Sequence, residues 1–258
     1  MTTSGTASIT TSTSTSMTTA GEVRDIGPLA DVLPDDVLAR RAGLPVKVAP
    51  VTLTGRIVTM RPLDTGNDVE ALYAATNGQP VQTAGRDLSA YDADALVWRF
   101  MSAGPFADLE EMRAYLQGLE DMPNGRAMTA IDTASGDLVG VATFMSNDPA
   151  NLKIELGHIS YSPVVQGRGH NLEATWLMAG HCFDLGYRRL EWKCNARNER
   201  SRRAALRMGF TFEGVQDAHV IAKGTSRDTA WFRILDHEWP SVDTRMQQML
   251  ATMGTPSE

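Results

Sequence analysis

Hydrophobic and polar positions show no period over residues 1–20 and a clear one from Val48 onward. Val51 to Arg61 alternates as a half-buried strand does, and Asn67 to Asn77 places apolar residues at helical spacing. Asp92 to Met101 and Ala107 to Leu119 read as further helices on either side of a break at Gly104–Pro105. Arg126 to Asp132 and Leu138 to Met145 are β-rich runs joined by Ser135–Gly136–Asp137, the turn chemistry of a hairpin. Ile154 to Tyr161 is a third strand, closed by Pro163. A helix over Asn171 to Leu185 stops at Gly186, a short strand covers Arg189 to Cys194, and a helix over Asn198 to Met208 ends at Gly209, which suits a left-handed cap. Phe210 to Phe212, Ala218 to Ala222 and Thr229 to Leu235 supply the last strands around a turn at Lys223–Gly224, and Asp243 to Met253 a final helix. This order predicts a mixed α/β domain with antiparallel strands at both ends.

Fourteen of the first twenty residues are Ser or Thr, too little hydrophobic mass to offset the entropy of ordering, so residues 1–20 read as a disordered tail. Residues 21–47, broken by Pro28, Pro34 and Pro45, read as an arm on the domain surface. The domain itself is expected over 48–240, with a helix and tail over 241–258. A length of 258 residues is enough for one large domain. The net charge of -7 argues against a bulk electrostatic grip on nucleic acid, and no apolar run approaches the ~18 residues of a membrane span. Cys182 and Cys194 are too few for a disulfide scaffold or a zinc site, and two lone thiols without a leader sequence suit the cytoplasm. No His/Cys/Asp cluster has metal-ligand spacing.

The informative stretch is Ile159-Ser-Tyr161-Ser-Pro-Val-Val-Gln166-Gly167-Arg168-Gly169-His170-Asn171. A strand runs into a glycine-containing turn that opens a helix. Glycines let backbone approach a ligand, and the amides of a helix N-terminus suit a phosphate. The loop lacks the Gly-Lys-Ser/Thr end of a P-loop and the third glycine of a Rossmann loop. On its own it is equally a plain strand-to-helix connection.

Gln166-x-x-Gly169, then Asn195-Ala-Arg-Asn198-Glu-Arg-Ser201-x-x-x-x-Leu206-x-x-Gly209-Phe210, then Glu213-Gly214 resemble the GNAT acyltransferases in their RimJ/RimL-like branch. Gly224-x-x-x-Asp228 and Asp236-x-Glu238-Trp239-Pro240 are similar to the same branch, and the likeness runs from about Leu53 to Pro240. The resemblance implies the GNAT fold: a splayed mixed sheet whose central parallel strands, here Ile154 to Tyr161 and Arg189 to Cys194, diverge around the pantetheine arm of acetyl-CoA or another acyl-CoA. It implies a donor site of Ile159, Tyr161, Gln166, Gly167, Arg168, Gly169, His170, Asn171 and Asn198, with the pyrophosphate on the amides of Gly167 to Asn171. The chain departs from the pattern at Asn171, where the family carries glycine or alanine, and at Ala205, where a tyrosine often protonates the leaving thiolate. Ser201 matches the hydroxyl that RimL-like members use instead.

Acyl transfer to an amine needs a neutral nucleophile, a held oxyanion and a proton for the sulfur. Glu155 and His219 are the candidate bases, and histidine's pKa near ~6.5 suits that task. Each has a plainer reading, Glu155 as a hydrogen-bonded strand carboxylate, His219 as a surface histidine and Ser201 as a helical hydroxyl bonding backward. Trp192 and Trp231 read as core or acceptor-pocket walls, Cys194 as a buried small hydrophobe, and His158, His170 and His181 as structural. The cluster Arg188, Arg189, Arg197, Arg200, Arg202 and Arg203 serves either the phosphates of CoA or the acidic face of an acyl carrier protein bearing the same phosphopantetheine arm. The acceptor is an amine-bearing small molecule or a protein N-terminus. A pantetheine-binding module without catalysis and a homodimer remain open alternatives.

Overall fold

The computed structural model describes residues 32–253; the expected tail, residues 21–31 of the expected arm and the last five residues lie outside the described residues. Within the rest of the arm, Asp35–Gly43 forms a helix, α1, between the breaks at Pro34 and Pro45. Asp35 and Asp36 in its first turn and Arg40 and Arg41 in its last complement the helix dipole. The chain after it is sewn down by polar bonds: the Asn147 Nδ2 amide donates to the carbonyls of Pro45 and Val46 at 2.8 and 2.9 Å, and Tyr187 holds Asn147 Oδ1 from the other side at 2.7 Å.

The expected strand over Val51 to Arg61 divides at Gly55 into β1 (Leu53–Thr54) and β2 (Val58–Pro62). Helix α2 (Thr65–Thr76) starts at Asp64, whose side chain accepts the Asn67 amide, and buries Val69, Leu72 and Ala75 one turn apart. A small hairpin, β3 (Val81–Thr83) and β4 (Arg86–Leu88), turns through Ala84 and Gly85, both at positive φ. The helix expected over Asp92 to Met101 is shorter and wider, a single π turn over Asp94–Trp98. Helix α3 (Leu109–Glu120) follows. Then come β5 (Arg126–Asp132), β6 (Leu138–Asp148) and β7 (Lys153–Tyr161), helix α4 (His170–Asp184), β8 (Arg189–Asn195), helix α5 (Glu199–Met208), β9 (Thr211–Ala222), β10 (Thr225–Leu235) and helix α6 (Trp239–Thr252).

Eight strands form one sheet in the order β1-β2-β5-β6-β7-β8-β10-β9. Only β7 and β8 are parallel, and every other neighbouring pair is antiparallel. Alternating residues divide the sheet's burden between two layers. Val58, Met60, Ala130, Ile154, Leu156, Leu190, Trp192, Ala230 and Phe232 pack in one core with residues of α4, α5 and α6 such as Met178, Met208 and Met246. Leu63, Ala127 and Val141 pack on the opposite face with Leu72 of α2 and Met112 and Leu116 of α3.

Two buried carboxylates lock these layers to the sheet. Glu173, on the first turn of α4, accepts the backbone amides of Arg56, Ile57 and Val58 at 3.0, 2.6 and 2.8 Å. A Cβ at Gly55 would lie 2.4 Å from that carboxylate, so glycine is required there. Asp68 of α2 accepts two bonds from the Arg61 guanidinium and one from Thr129, which ties α2 to β2 and β5.

Candidate active site

The geometry of the site begins with a strand pair that comes apart. β7 and β8 pair only from Lys153 opposite Arg189 to Leu156 opposite Trp192. Beyond that point β7 continues to Tyr161 against β6 alone, and β8 continues to Asn195 against β10 alone. The β6–β7 register identifies the cause. Thr143 faces Gly157 and Val141 faces Ser160, so β7 carries one extra residue, a β-bulge at His158–Ile159 where His158 adopts φ 46°. The bulge bends β7 away from β8, and a cavity of about 660 Å³ occupies the opening.

The cavity is lined from both faces of the sheet. Trp192, Cys194, Ser201 and Ala204 line it on the side of α5, and Glu155, Lys193, His219 and Arg227 line it on the opposite side. At one end lies the turn into α4. Gly167 and Gly169 adopt φ of 75° and 95°, and Gly169 is the N-cap. The amides of Gly167, Gly169, His170, Asn171 and Leu172 find no acceptor among the described residues, whereas Glu173 N already bonds to Gly169 O at 2.8 Å. Unsatisfied amides at a helix N-terminus form an anion site.

Of the expected donor residues, Ile159, Tyr161, Gln166, Gly167, Asn171 and Asn198 line the cavity, and Arg168, Gly169 and His170 do not. The His170 ring is buried and its Nε2 lies 2.8 Å from Asp132 Oδ1. Burial alone would raise Asp132, but the bonds from His170 and Ser135 outweigh it and hold its carboxyl below the usual range. Gly169 packs where a Cβ would meet Ile57 at 2.9 Å and Met253 at 3.0 Å, so its lack of a side chain serves packing as well as φ. Asn198 caps α5 by accepting the Ser201 amide at 3.1 Å. Gln166 ties the loop to the π turn: its Nε2 donates to Leu96 O and Tyr161 O, and Arg200, also bonded to Ala95 O and Leu96 O, donates to its Oε1.

The arginine cluster of the sequence is not one surface in the structure. Arg189 pairs with Glu191 at 2.8 Å and with Glu213, and Arg203 pairs with Glu199 at 2.8 Å. Arg202 bonds the Ala196 carbonyl, and of the six only Arg200 lines the cavity. Strand alternation sends Arg189 into the sheet's ion-pair ladder, away from the α5 arginines.

All three expected catalytic residues line the one cavity. Ser201 Oγ accepts the Trp192 indole N–H at 3.0 Å instead of bonding back to its own helix. Its hydroxyl also faces the Cys194 thiol on the same side of the cavity. Ala205, one turn on, is fully buried in the core. His219 is placed by a second bulge: between Gln216 opposite Thr229 and Val220 opposite Arg227, β9 carries extra residues against β10. Asp228 pins this bulge by accepting the Ala218 amide at 2.8 Å, and His219 Nδ1 lies 3.0 Å from Thr229 Oγ1.

Glu155 is buried, and its Oε2 accepts from Lys193 Nζ at 2.8 Å and from Ser146 Oγ at 3.0 Å. Lys193 also meets Glu191 at 3.2 Å and lies over the Trp231 ring at 4.1 Å. Burial would raise Glu191, but Arg189 and Lys193 outweigh it and hold its carboxyl low. Cys194 is buried beside Ser201, and burial pushes its thiol up, away from a nucleophilic thiolate.

Sequence reasoning missed His158 and Lys193, which both line the cavity. His158 Nδ1 lies 3.1 Å from the Tyr115 hydroxyl of α3, and burial, then the charge of Arg227, lower the pKa of its imidazole. Only the bulge brings it into the opening, and no local motif marks that bulge.

Among the described residues, no helix is long and apolar enough to cross a membrane and no cluster of His, Cys, Asp and Glu has the geometry of a metal site. Residues 58–211, more than half of the chain, match the family model described as an acetyltransferase (GNAT) domain. No curated protein sequence matches significantly. A solved GCN5-related N-acetyltransferase from Brucella melitensis is 36% identical at a TM-score of 0.71, over 79% of this chain and 86% of that one. A GNAT-family acetyltransferase from Chromobacterium violaceum is 28% identical at 0.69, over 83% and 98%. The Salmonella typhimurium acetyltransferase that modifies the N-terminal serine of ribosomal protein L7/L12 shares the fold, with 20% identity and a TM-score of 0.58 over 72% of this chain and 99% of that one. The splayed β7–β8 pair, the amide-rich turn into α4 and the family match agree: the chain belongs to the GNAT family of N-acetyltransferases.

Proposed function

We propose that the protein transfers an acyl group, acetyl first among the candidates, from the thioester of CoA to a primary amine by direct attack in a ternary complex. One observation carries this reading. The opening between β7 and β8 is a cavity of the size a pantetheine thioester needs, and Gly167 and Asn171, two of the residues with unsatisfied amides in the turn into α4, line it.

In this reading the pyrophosphate rests on those amides, and the pantetheine arm runs along Gly157 to Tyr161, whose edge toward β8 makes no ladder. The thioester carbonyl then lies at the His158–Ile159 bulge, where backbone amides turned out of the ladder suit a developing oxyanion. The amine attacks the carbonyl carbon, the N–C bond forms and the C–S bond breaks. His219 takes the proton that the amine loses and releases it to solvent, and Ser201 gives its proton to the departing sulfur and regains one from solvent. Glu155 is the weaker candidate base, since its Oε2 is already occupied by the bonds from Lys193 and Ser146.

A carrier-protein donor draws less support, because the arginines that suggested it are divided between separate ion pairs. The acceptor is an amine on a small molecule or at a protein N-terminus. Calorimetric titration with acetyl-CoA, CoA and a phosphopantetheine-loaded carrier protein tests the donor. Micromolar acetyl-CoA binding followed by thiol release with an amine panel is the expected result. Binding of the carrier protein alone would replace the CoA reading, and binding of neither would refute both.

A further inference from the structure

Four basic side chains, Arg99, Lys193, Arg200 and Arg227, line the cavity, and three of them are already engaged. Arg99 pairs with Asp94 at 3.1 Å, Lys193 lies between Glu155 and Glu191, and Arg200 bonds Gln166 and two backbone carbonyls. Arg227 is the exception. It is half-buried at the start of β10, its Nε is shielded from solvent with no acceptor, and its side chain makes no hydrogen bond or ion pair among the described residues. Placing a guanidinium where it is partly desolvated and unpaired is unfavourable unless a ligand supplies the missing anion.

His158 supplies a second donor in the same cavity. The Tyr115 hydroxyl has one proton and, among the described residues, one partner, His158 Nδ1 at 3.1 Å. With the phenol as donor, Nδ1 is the acceptor and a neutral ring carries its proton on Nε2. Nε2 makes no bond to protein among the described residues and is not sealed from solvent. Arg227 and His158 both line the cavity where β7 and β8 part. His158 sits in left-handed backbone geometry at φ 46°, the kind of outlier that concentrates at ligand sites.

We propose that the amine acceptor carries a carboxylate, and that the Arg227 guanidinium and the His158 Nε2–H together receive it. The side of the sheet decides between acceptor and acyl group. Arg227 lies on the face of His219 and Glu155, the side from which the amine arrives, and Ser201 marks the sulfur on the other. A molecule holding amine and carboxylate close together, such as a free amino acid or a short acidic peptide, has the right chemistry. This inference rests on the acyltransferase reading and deepens it.

The test proceeds without an identified acceptor. Thiol release from acetyl-CoA is measured with the proteinogenic amino acids and short acidic peptides, each beside the same compound with its carboxylates converted to carboxamides. Succinyl-CoA with uncharged amines forms a separate arm. At least one carboxylate acceptor should exceed its carboxamide by about 10- to 100-fold in kcat/KM, the scale of one lost charge-assisted bond. Arg227→Gln should erase that preference by raising KM for the carboxylate far more than for its carboxamide, and Arg227→Lys should restore part of it. Circular dichroism checks that both variants fold.

Equal rates within every pair, a preference that survives Arg227→Gln, or silence of all pairs while acetyl-CoA binds would overturn the inference. A carboxylate preference seen only on the acyl side, with succinyl-CoA, would overturn it too, because the anion would then belong to the donor. Failure of acetyl-CoA to bind would instead remove the acyltransferase reading beneath it.

Discussion

Replacing Ser201 by alanine separates chemistry from architecture, because its oxygen holds the Trp192 indole and, in the proposed reaction, supplies the proton to the sulfur. Trp192 is 4% exposed and its indole N–H has Ser201 Oγ as its partner at 3.0 Å. Removing that oxygen strands a buried donor, at a cost of about 1–3 kcal/mol. For a chain of this size that lowers Tm by roughly 2–4 °C for each kcal/mol. If the hydroxyl also protonates the departing thiolate, kcat falls about 100-fold, at the low end of the range for a positioned acid. Acetyl-CoA affinity should change little, since the amides proposed to hold the pyrophosphate lie in the turn before α4, on another element. Trp192→Phe is the control: it deletes the same hydrogen bond and leaves the hydroxyl in place, so it should keep most of the turnover that Ser201→Ala loses. Continuous thiol release gives kcat, calorimetry the donor Kd and circular dichroism the Tm. A Ser201→Ala enzyme with unchanged kcat, or a Trp192→Phe enzyme equally slow, would refute the assignment of the proton to Ser201.

His219→Ala should abolish the acidic limb of the kcat/KM profile, and Glu155→Gln should leave that limb in place; the opposite pattern would make Glu155 the base. Glu173→Ala removes the acceptor of three backbone amides and should cost about 3 kcal/mol or more in a urea titration, well beyond what a surface glutamate contributes. Asp68 gives a pH dependence of defined sign. Burial would raise its carboxyl, but the bonds from Arg61, the Asp64 amide and Thr129 outweigh it and leave its pKa lowered. Its stabilisation is therefore complete above the unfolded value of about 3.9 and is lost as pH falls through the lower folded value. Asp68→Asn should lower stability by about 3 kcal/mol at neutral pH and flatten the acid end of the stability curve, as read from urea midpoints at a series of pH values.

Elements with a single local signal were legible in the chain. Arg126–Asp132 forms the strand that its alternation indicates, and the Gly209 cap closes α5 with φ 99° where the glycine stands. The turn into α4 could be read because its glycines and the helix that follows are adjacent in sequence. The hairpin at Val81–Thr83 and Arg86–Leu88 escaped notice because its turn places Ala84, not asparagine or glycine, at φ 51°. β9 read as two pieces because its bulge breaks the period of two near Ala218. The basic cluster misled for a similar reason. Arg189 and Arg200 are near in sequence, yet one lies on a strand facing Glu213 and the other on a helix facing the π turn. Membership of the cavity depends on register between distant strands, so Lys193, His158 and Arg227 carried no local signature.

The two bulges explain why this sheet can hold a reaction at all. A regular β7 would pair with β8 along its length, and the opening would close into ordinary ladder. The bulge at His158–Ile159 prevents this, and it persists because the Tyr115 hydroxyl and the β6 register fix the residue that carries it. A regular β9 would also change what its edge presents. The bulge before Val220, pinned by Asp228, turns the strand so that His219 borders the cavity and meets Thr229. Asp228 is thus a positioning residue, and Gly224, at φ 73° in the turn between β9 and β10, sets the register that brings it opposite Ala218. In the proposed reaction the acid and the base never need to touch. Ser201 acts on the sulfur from the α5 face and His219 on the amine from the other, and the carbonyl between them is reached by both because the strands have parted.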